Sequence, residues 1–185
     1  MKCNSILMTL LASACFAALP VRAADETAAV DLTDAVPQVK DIQDGLFPDD
    51  ECEQLKAAGF KCMGFKAAQR YSLPAATFKA GSSDLPDVVK RQLDVFAEAL
   101  KGRSSTTQKV RVEGHTDATG SATGNQELSQ RRAEAARQYL IDKGVSPDLL
   151  TAVGVGSTQP KAGVSPQAPE NRRVEISRDS QPCAR

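Results

Sequence analysis

Two side chains of opposite charge could act together in this chain, Asp117 and Arg132. Arg132 lies in a stretch whose apolar residues recur with helical spacing. At about 100° per residue, Leu128, Ser129, Arg132, Ala133, Ala136, Tyr139 and Leu140 share one broad face. Gln130, Arg131, Glu134 and Arg137 fall on the other, so Arg131 reads as ordinary surface. Arg132 sits on the stripe meant for the core. A guanidinium there must be paired, because an uncompensated buried charge is strongly unfavourable. Asp117 is the nearest acid in the motif, and a ligand carboxylate is the other partner open to it. A carboxylate and a guanidinium at the mouth of a crevice would together satisfy a zwitterion with one ammonium and one carboxylate. The alternative is an internal salt bridge that only ties loop to helix. His115 is the single histidine, two residues from Asp117. A metal or hydrolase role is disfavoured, because no third ligand, second histidine or nucleophile elbow accompanies it. It reads as a packed or hydrogen-bonding side chain.

The elements around these residues read as strand, loop and helix. Val110 and Val112 alternate with Arg111 and Glu113, the period of a strand with one buried face, and Gly114 ends the run. The Gly-, Thr-, Ser- and Ala-rich stretch that follows marks a loop that can approach a ligand closely. Asn125 is the expected N-cap of the helix, with Glu127 in its first turn. Upstream, Tyr71 to Phe78 predicts a first strand, placed at a sheet edge because Pro74 cannot donate to a ladder. Pro86 to Lys101 predicts a helix with Val89, Leu93, Phe96, Ala97 and Leu100 on one stripe, stopped by Gly102. Leu149 to Val155 and Arg172 to Arg178 predict two more strands, joined by a Pro-rich loop over residues 157–170. Gly154-Val155-Gly156 is not a dinucleotide fingerprint, since no third glycine and no helix follow it. The order β-α-β-α-β-β implies an α/β sandwich with helices packed on one mixed sheet. Asp117 then lies beyond a strand carboxyl end, where such sheets place ligands.

Gly114-His115-Thr116-Asp117, Asn125-x-x-Leu128-Ser129-x-x-Arg132-Ala133 and Asn171-Arg172-Arg173-Val174-Glu175-Ile176 together resemble the OmpA-like C-terminal domain family. The family includes OmpA tails, Pal lipoproteins and motor-stator anchors of the MotB type, and binds peptidoglycan non-covalently. The resemblance covers roughly Tyr71 to Arg178. It implies that Asp117 takes the ammonium, and Arg132 the carboxylate, of a meso-diaminopimelate side chain in the stem peptide. It also puts Thr116, Thr119 and Asn125 at the pocket edge and makes Leu128 an apolar wall. By the same resemblance Arg173, of the arginine pair after Asn171, positions the loop or the glycan. The segment after the first strand lines the pocket in this family. Phe78 is kept there, although its residue type reads first as core. Lys79-Ala80-Gly81 departs from the family's acidic version, and Ser157 stands where Glu is frequent.

Residues 1–23 read as a secretory signal: Lys2, an apolar run from Ile6 to Ala18, and a small-residue cleavage site before Ala24. A competing reading takes Leu11 to Cys15 as a lipobox with a lipid anchor at Cys15. Cleavage after Ala23 removes Lys2 and Arg22, leaving 21 basic residues against 23 acidic ones and a net charge of −2. That balance, with aromatics at 4% and no Trp, gives no case for nucleic acid. Residues 24–45 read as a linker or disordered arm. Residues 46–70 form a small cysteine-bearing extension, with Cys52 and Cys62 the favoured disulfide of an oxidising compartment. Residues 71–178 are the OmpA-like domain, and 179–185 a tail in which Cys183 is free or reaches back to the N-terminal segment.

The expectation is a non-catalytic binder of diaminopimelate-type peptidoglycan that anchors an envelope protein in a Gram-negative periplasm, associated with the cell wall or outer membrane. No cofactor and no metal are expected. The alternatives are an adapter that meets an envelope protein through its N-terminal segment, and a cell-wall-active enzyme. Oligomeric state is open.

Overall fold

The computed structural model describes residues 29–33, 35–48, 58–59, 61, 67–74, 78–103 and 108–179. The signal segment, Cys15, the Cys52–Cys62 pairing and Cys183 lie outside the described residues. Within them the elements run β1 (Val30–Asp31), α1 (Val39–Leu46), β2 (Arg70–Leu73), α2 (Asp87–Leu100), β3 (Val110–Gly114), α3 (Ala122–Asp142), β4 (Leu150–Gly154) and β5 (Val174–Arg178). From β2 onward this is the β-α-β-α-β-β order read from the sequence.

The strands form one mixed sheet in the order β1-β2-β5-β3-β4. β5 is inserted between β2 and β3 and is antiparallel to both, with Val112 opposite Ile176 and Tyr71 opposite Ile176 on the other side. β3 and β4 are parallel, as a strand-helix-strand crossover requires. Val110, Val112, Val174 and Ile176 are fully buried and form the core-facing side of the central strands. α2 adds Val89, Leu93, Phe96 and Leu100, and α3 adds Ala133, Ala136 and Leu140, all at 0–1% exposure. The small residues on α3 let it press on the sheet. Gly114 is needed for that approach: a Cβ there would stand 2.0 Å from the Ser129 carbonyl oxygen.

Three local readings differ. β2 is not an edge strand, because β1 pairs with its outer side in parallel, Val30 opposite Tyr71. Pro74 falls just past the end of β2, where its missing N–H is harmless. Helix α3 starts earlier than Asn125. Ser121 is the N-cap and accepts from the Gly124 N–H. Finally, the segment read as a linker carries β1 and α1. Ile42 and Leu46 are fully buried, and Gln92, from α2, donates to the Thr33 and Ala35 carbonyls. Its acidic composition hid a short amphipathic helix whose apolar side docks on α2.

Candidate functional site

The carboxyl end of β3, the loop to Ser121, the first turns of α3 and residues 79–84 converge on one cavity. Its volume is about 300 Å³, and its lining includes Gly81, Thr116, Asp117, Leu128, Arg132 and Arg172. Gly114 lets β3 end against α3, so Asp117 emerges beside the helix start. Asn125 holds it there. The Asn125 side-chain amide donates to the Asp117 and Thr119 carbonyls, at 3.2 and 3.0 Å, stapling the loop to the helix. Asn125 is therefore a loop anchor inside α3 rather than its cap.

Arg132 is fully buried, as the periodicity required. Its partners are not those expected. Nε donates to the Ser82 carbonyl at 3.0 Å, Nη1 to the His115 carbonyl at 3.2 Å and Nη2 to the Lys79 carbonyl at 3.3 Å. The Phe78 ring lies 4.8 Å from the guanidinium carbon, a cation–π contact. Backbone dipoles and an aromatic face thus replace the carboxylate. Each terminal nitrogen keeps one N–H beyond these bonds. Burial, then the charge of Arg172, push the Arg132 pKa down to about 10, so it stays cationic at neutral pH.

Asp117 pairs instead with Arg172, whose Nη1 donates to Oδ2 at 2.8 Å. Oδ1 accepts from the Thr119 backbone N–H at 3.1 Å and from the Thr119 hydroxyl. Burial alone would raise this carboxyl, but the hydrogen bonds from Thr119 and Arg172 overcome it and hold the group below the ordinary carboxylate range. Oδ1 is filled by its two donors, whereas Oδ2 retains a lone pair. Two further polar atoms of residues that line the cavity, Thr116 Oγ1 and Arg172 Nε, are buried with no hydrogen-bond partner among the described residues.

The structure brings together Asp117, Arg132, Thr116, Thr119, Asn125 and Leu128 around the cavity. Phe78 does not line it. It is buried beneath Arg132 and supports the guanidinium from behind. Arg173 is elsewhere. Its Nε donates to Glu175 at 2.6 Å, and its terminal nitrogens reach the Asn171 and Gln159 carbonyls. The alternation that puts Val174 and Ile176 on the core side places Arg173 and Glu175 on the opposite face. Arg172, one residue before that alternation, is the arginine that reaches the cavity. The same face carries a buried polar layer, in which Arg70 bridges Glu113 and Glu175 at 3.2 and 3.1 Å. His115 is fully buried there, 3.8 Å from Glu175, and neither ring nitrogen has a well-formed hydrogen bond. Glu113, His115 and Glu175 are close enough to hold a metal ion. Arg70, Arg111 and Arg173 already pair with the two carboxylates, so a divalent cation would add to an excess of positive charge.

Comparisons with known proteins agree with this architecture. The OmpA family profile matches residues 77–174. The chain is 45% identical over 101 residues to a peptidoglycan-associated lipoprotein of Pseudomonas aeruginosa, covering 54% of this chain and 58% of that protein. It is 34% identical over 101 residues to outer membrane protein P5 of Haemophilus influenzae, covering 54% of this chain and 28% of that protein. The matched segment thus spans little more than half of the first relative and less of the second. Among solved structures, the peptidoglycan-associated lipoprotein of Burkholderia pseudomallei superposes with a TM-score of 0.50 at 28% identity, over 58% of this chain and 88% of that one. The OmpA-like domain of FopA1 from Francisella tularensis superposes with a TM-score of 0.51 at 23% identity, a likeness of fold, over 58% of this chain and 69% of that one. A family match over more than half the chain, carried by the fold and motifs described above, establishes that this chain belongs to the OmpA family.

Proposed function

We propose that this protein binds peptidoglycan non-covalently and holds the diaminopimelate end of a stem peptide in the cavity at Asp117. The observation that carries the reading is a cavity with unmet hydrogen bonds between one carboxylate and two guanidinium groups. The ligand ammonium takes the remaining lone pair of Asp117 Oδ2. The ligand carboxylate takes the free N–H groups of Arg132 and the unpartnered Thr116 hydroxyl and Arg172 Nε. Thr119 and Asn125 act through Asp117, by fixing the loop that carries it, and Leu128 packs against the ligand methylenes. The name of one relative, a peptidoglycan-associated lipoprotein, supports peptidoglycan as the ligand, and that of another, an outer membrane protein, supports an outer-membrane-associated periplasmic location.

Binding fits the cavity better than catalysis. The Thr119 hydroxyl sits on Asp117, yet that carboxylate is held below its ordinary pKa and is a weak general base at neutral pH. Co-sedimentation of the mature protein with purified sacculi tests the proposal. Sacculi with diaminopimelate stems should pull the protein down, free meso-diaminopimelate should compete, and lysine-stem sacculi should bind at least tenfold less, about 1.4 kcal/mol. Equal retention of an Asp117→Asn, Arg172→Gln double variant would reject the site.

A further inference from the structure

We propose that the stem peptide continues out of the cavity past Arg131 into a groove on α3, where Arg131 pairs with a second carboxylate of the same ligand. This rests on the cavity reading above and extends it to the residues next to diaminopimelate. The cavity, at about 300 Å³, is at the low end for small-molecule sites and suits one amino-acid end group rather than a peptide. The rest of the polymer must leave by its mouth. Arg131 stands there and lines two spaces at once, the cavity and an open groove of about 580 Å³ walled by Ser83, Glu134, Ala135 and Gln138.

Among the described residues at the groove, Arg131 is the least committed cation. Arg132 is held by three backbone carbonyls, and its remaining N–H groups face the first ligand carboxylate inside the cavity. Arg137, the other arginine on the groove, is spent on the Leu150 and Pro147 carbonyls. Arg131 has a 54% exposed side chain and faces Glu127 at 3.8 Å, one helical turn away. An exposed pair of that kind is weak, so re-pairing with a ligand carboxylate costs little. The chemistry selects the partner. A peptide carrying a free carboxylate beside diaminopimelate meets Arg131, and its amide N–H groups meet the Glu134 carboxylate and the Ser83 hydroxyl. The outward face that periodicity assigned to plain solvent is, in this reading, the continuation of the site.

Titration calorimetry with the full mature chain, free meso-diaminopimelate and a diaminopimelate-containing muramyl tripeptide tests this. Thermal melting confirms that each variant is folded. The wild-type protein should bind the tripeptide at least threefold more tightly than free diaminopimelate. Arg131→Glu should lower tripeptide affinity about tenfold, the size of one lost and one repulsive charge contact, and lower free diaminopimelate affinity less. Ala135→Phe, which fills the groove and lies outside the cavity, should weaken the tripeptide alone. Tripeptide binding unchanged in both variants, or no tighter than free diaminopimelate in the wild type, would overturn the groove while leaving the cavity standing. Failure of the wild type to bind either ligand would overturn the cavity reading, and the groove with it.

Discussion

Arg132 carries the residue-scale lesson, because its burial and its partners have different causes. Its place on the helix face buries it, and three carbonyls keep the charge tolerable. Lysine keeps the charge but cannot reproduce the planar fork that reaches those carbonyls. Arg132→Lys should therefore lose about 2–4 kcal/mol of stability in urea unfolding, the cost of leaving buried acceptors unmet, and should lose ligand binding as well. His115 gives a pH dependence. Burial, then the charge of Arg173, lower its pKa from 6.5 to about 4. Below pH 6.5 the unfolded chain takes a proton that the native state refuses. Stability is thus intact above pH 6.5 and falls as pH drops towards 4, by up to about 3 kcal/mol. Asp117 and Glu175, both held below the ordinary carboxylate range, add their losses at lower pH. Denaturant midpoints measured from pH 7.5 to 4.5 should show this slope, and His115→Gln should flatten it.

At the scale of elements, α3 does more than cover the sheet. It also closes an exposed edge of it. β4 pairs only with β3 in the described sheet, leaving its outer carbonyls and N–H groups without a strand. Side chains of α3 meet them in turn. Gln126 donates to the Gly154 carbonyl at 2.7 Å, Gln130 donates to Ala152 and accepts from the Gly154 N–H, and Arg137 donates to Leu150. Unmet edge groups invite strand addition from other chains, so this row also protects solubility. A Gln126→Ala, Gln130→Ala double variant should lose about 2–3 kcal/mol, near 1 kcal/mol for each bond removed. It should also scatter light at concentrations where the parent stays clear. An unchanged midpoint would mean that water satisfies the edge equally well.

Across the whole molecule, the N-terminal segment is part of the domain rather than a tether to it. Leu32, Ile42, Leu46 and Phe47 are nearly or fully buried in the same core as α2 and β2. Each such side chain contributes about 1.5–3 kcal/mol by burial, against total stabilities of about 5–15 kcal/mol. A chain lacking residues 24–48 should therefore melt far below the parent or fail to fold, as followed by circular dichroism. A truncated chain with a native melting temperature would show that β1 and α1 are accessory. If the truncation does destabilise, a protein partner that meets the N-terminal segment must do so with β1 and α1 in place.

Periodicity alone determined the α/β order, the core stripe of α3, the burial of Arg132 and the position of Asp117 at a strand end. Each follows from spacing within one element, which the chain carries locally. The fit of α3 against β3 was partly legible too, in Gly114 and the small residues of the helix. The partners were not legible. That Arg132 rests on the carbonyls of Lys79, Ser82 and His115, and that Arg172 rather than Arg173 reaches Asp117, depends on where β3, β5 and the 79–84 loop cross. Backbone carbonyls leave no mark in a residue pattern, and neither does the position of one strand relative to another. Spacing within α2 and α3 marked Arg132 and most of the core side chains of those helices for burial, and the packing of distant segments decided what they would find there and buried Ile42 and Leu46 as well.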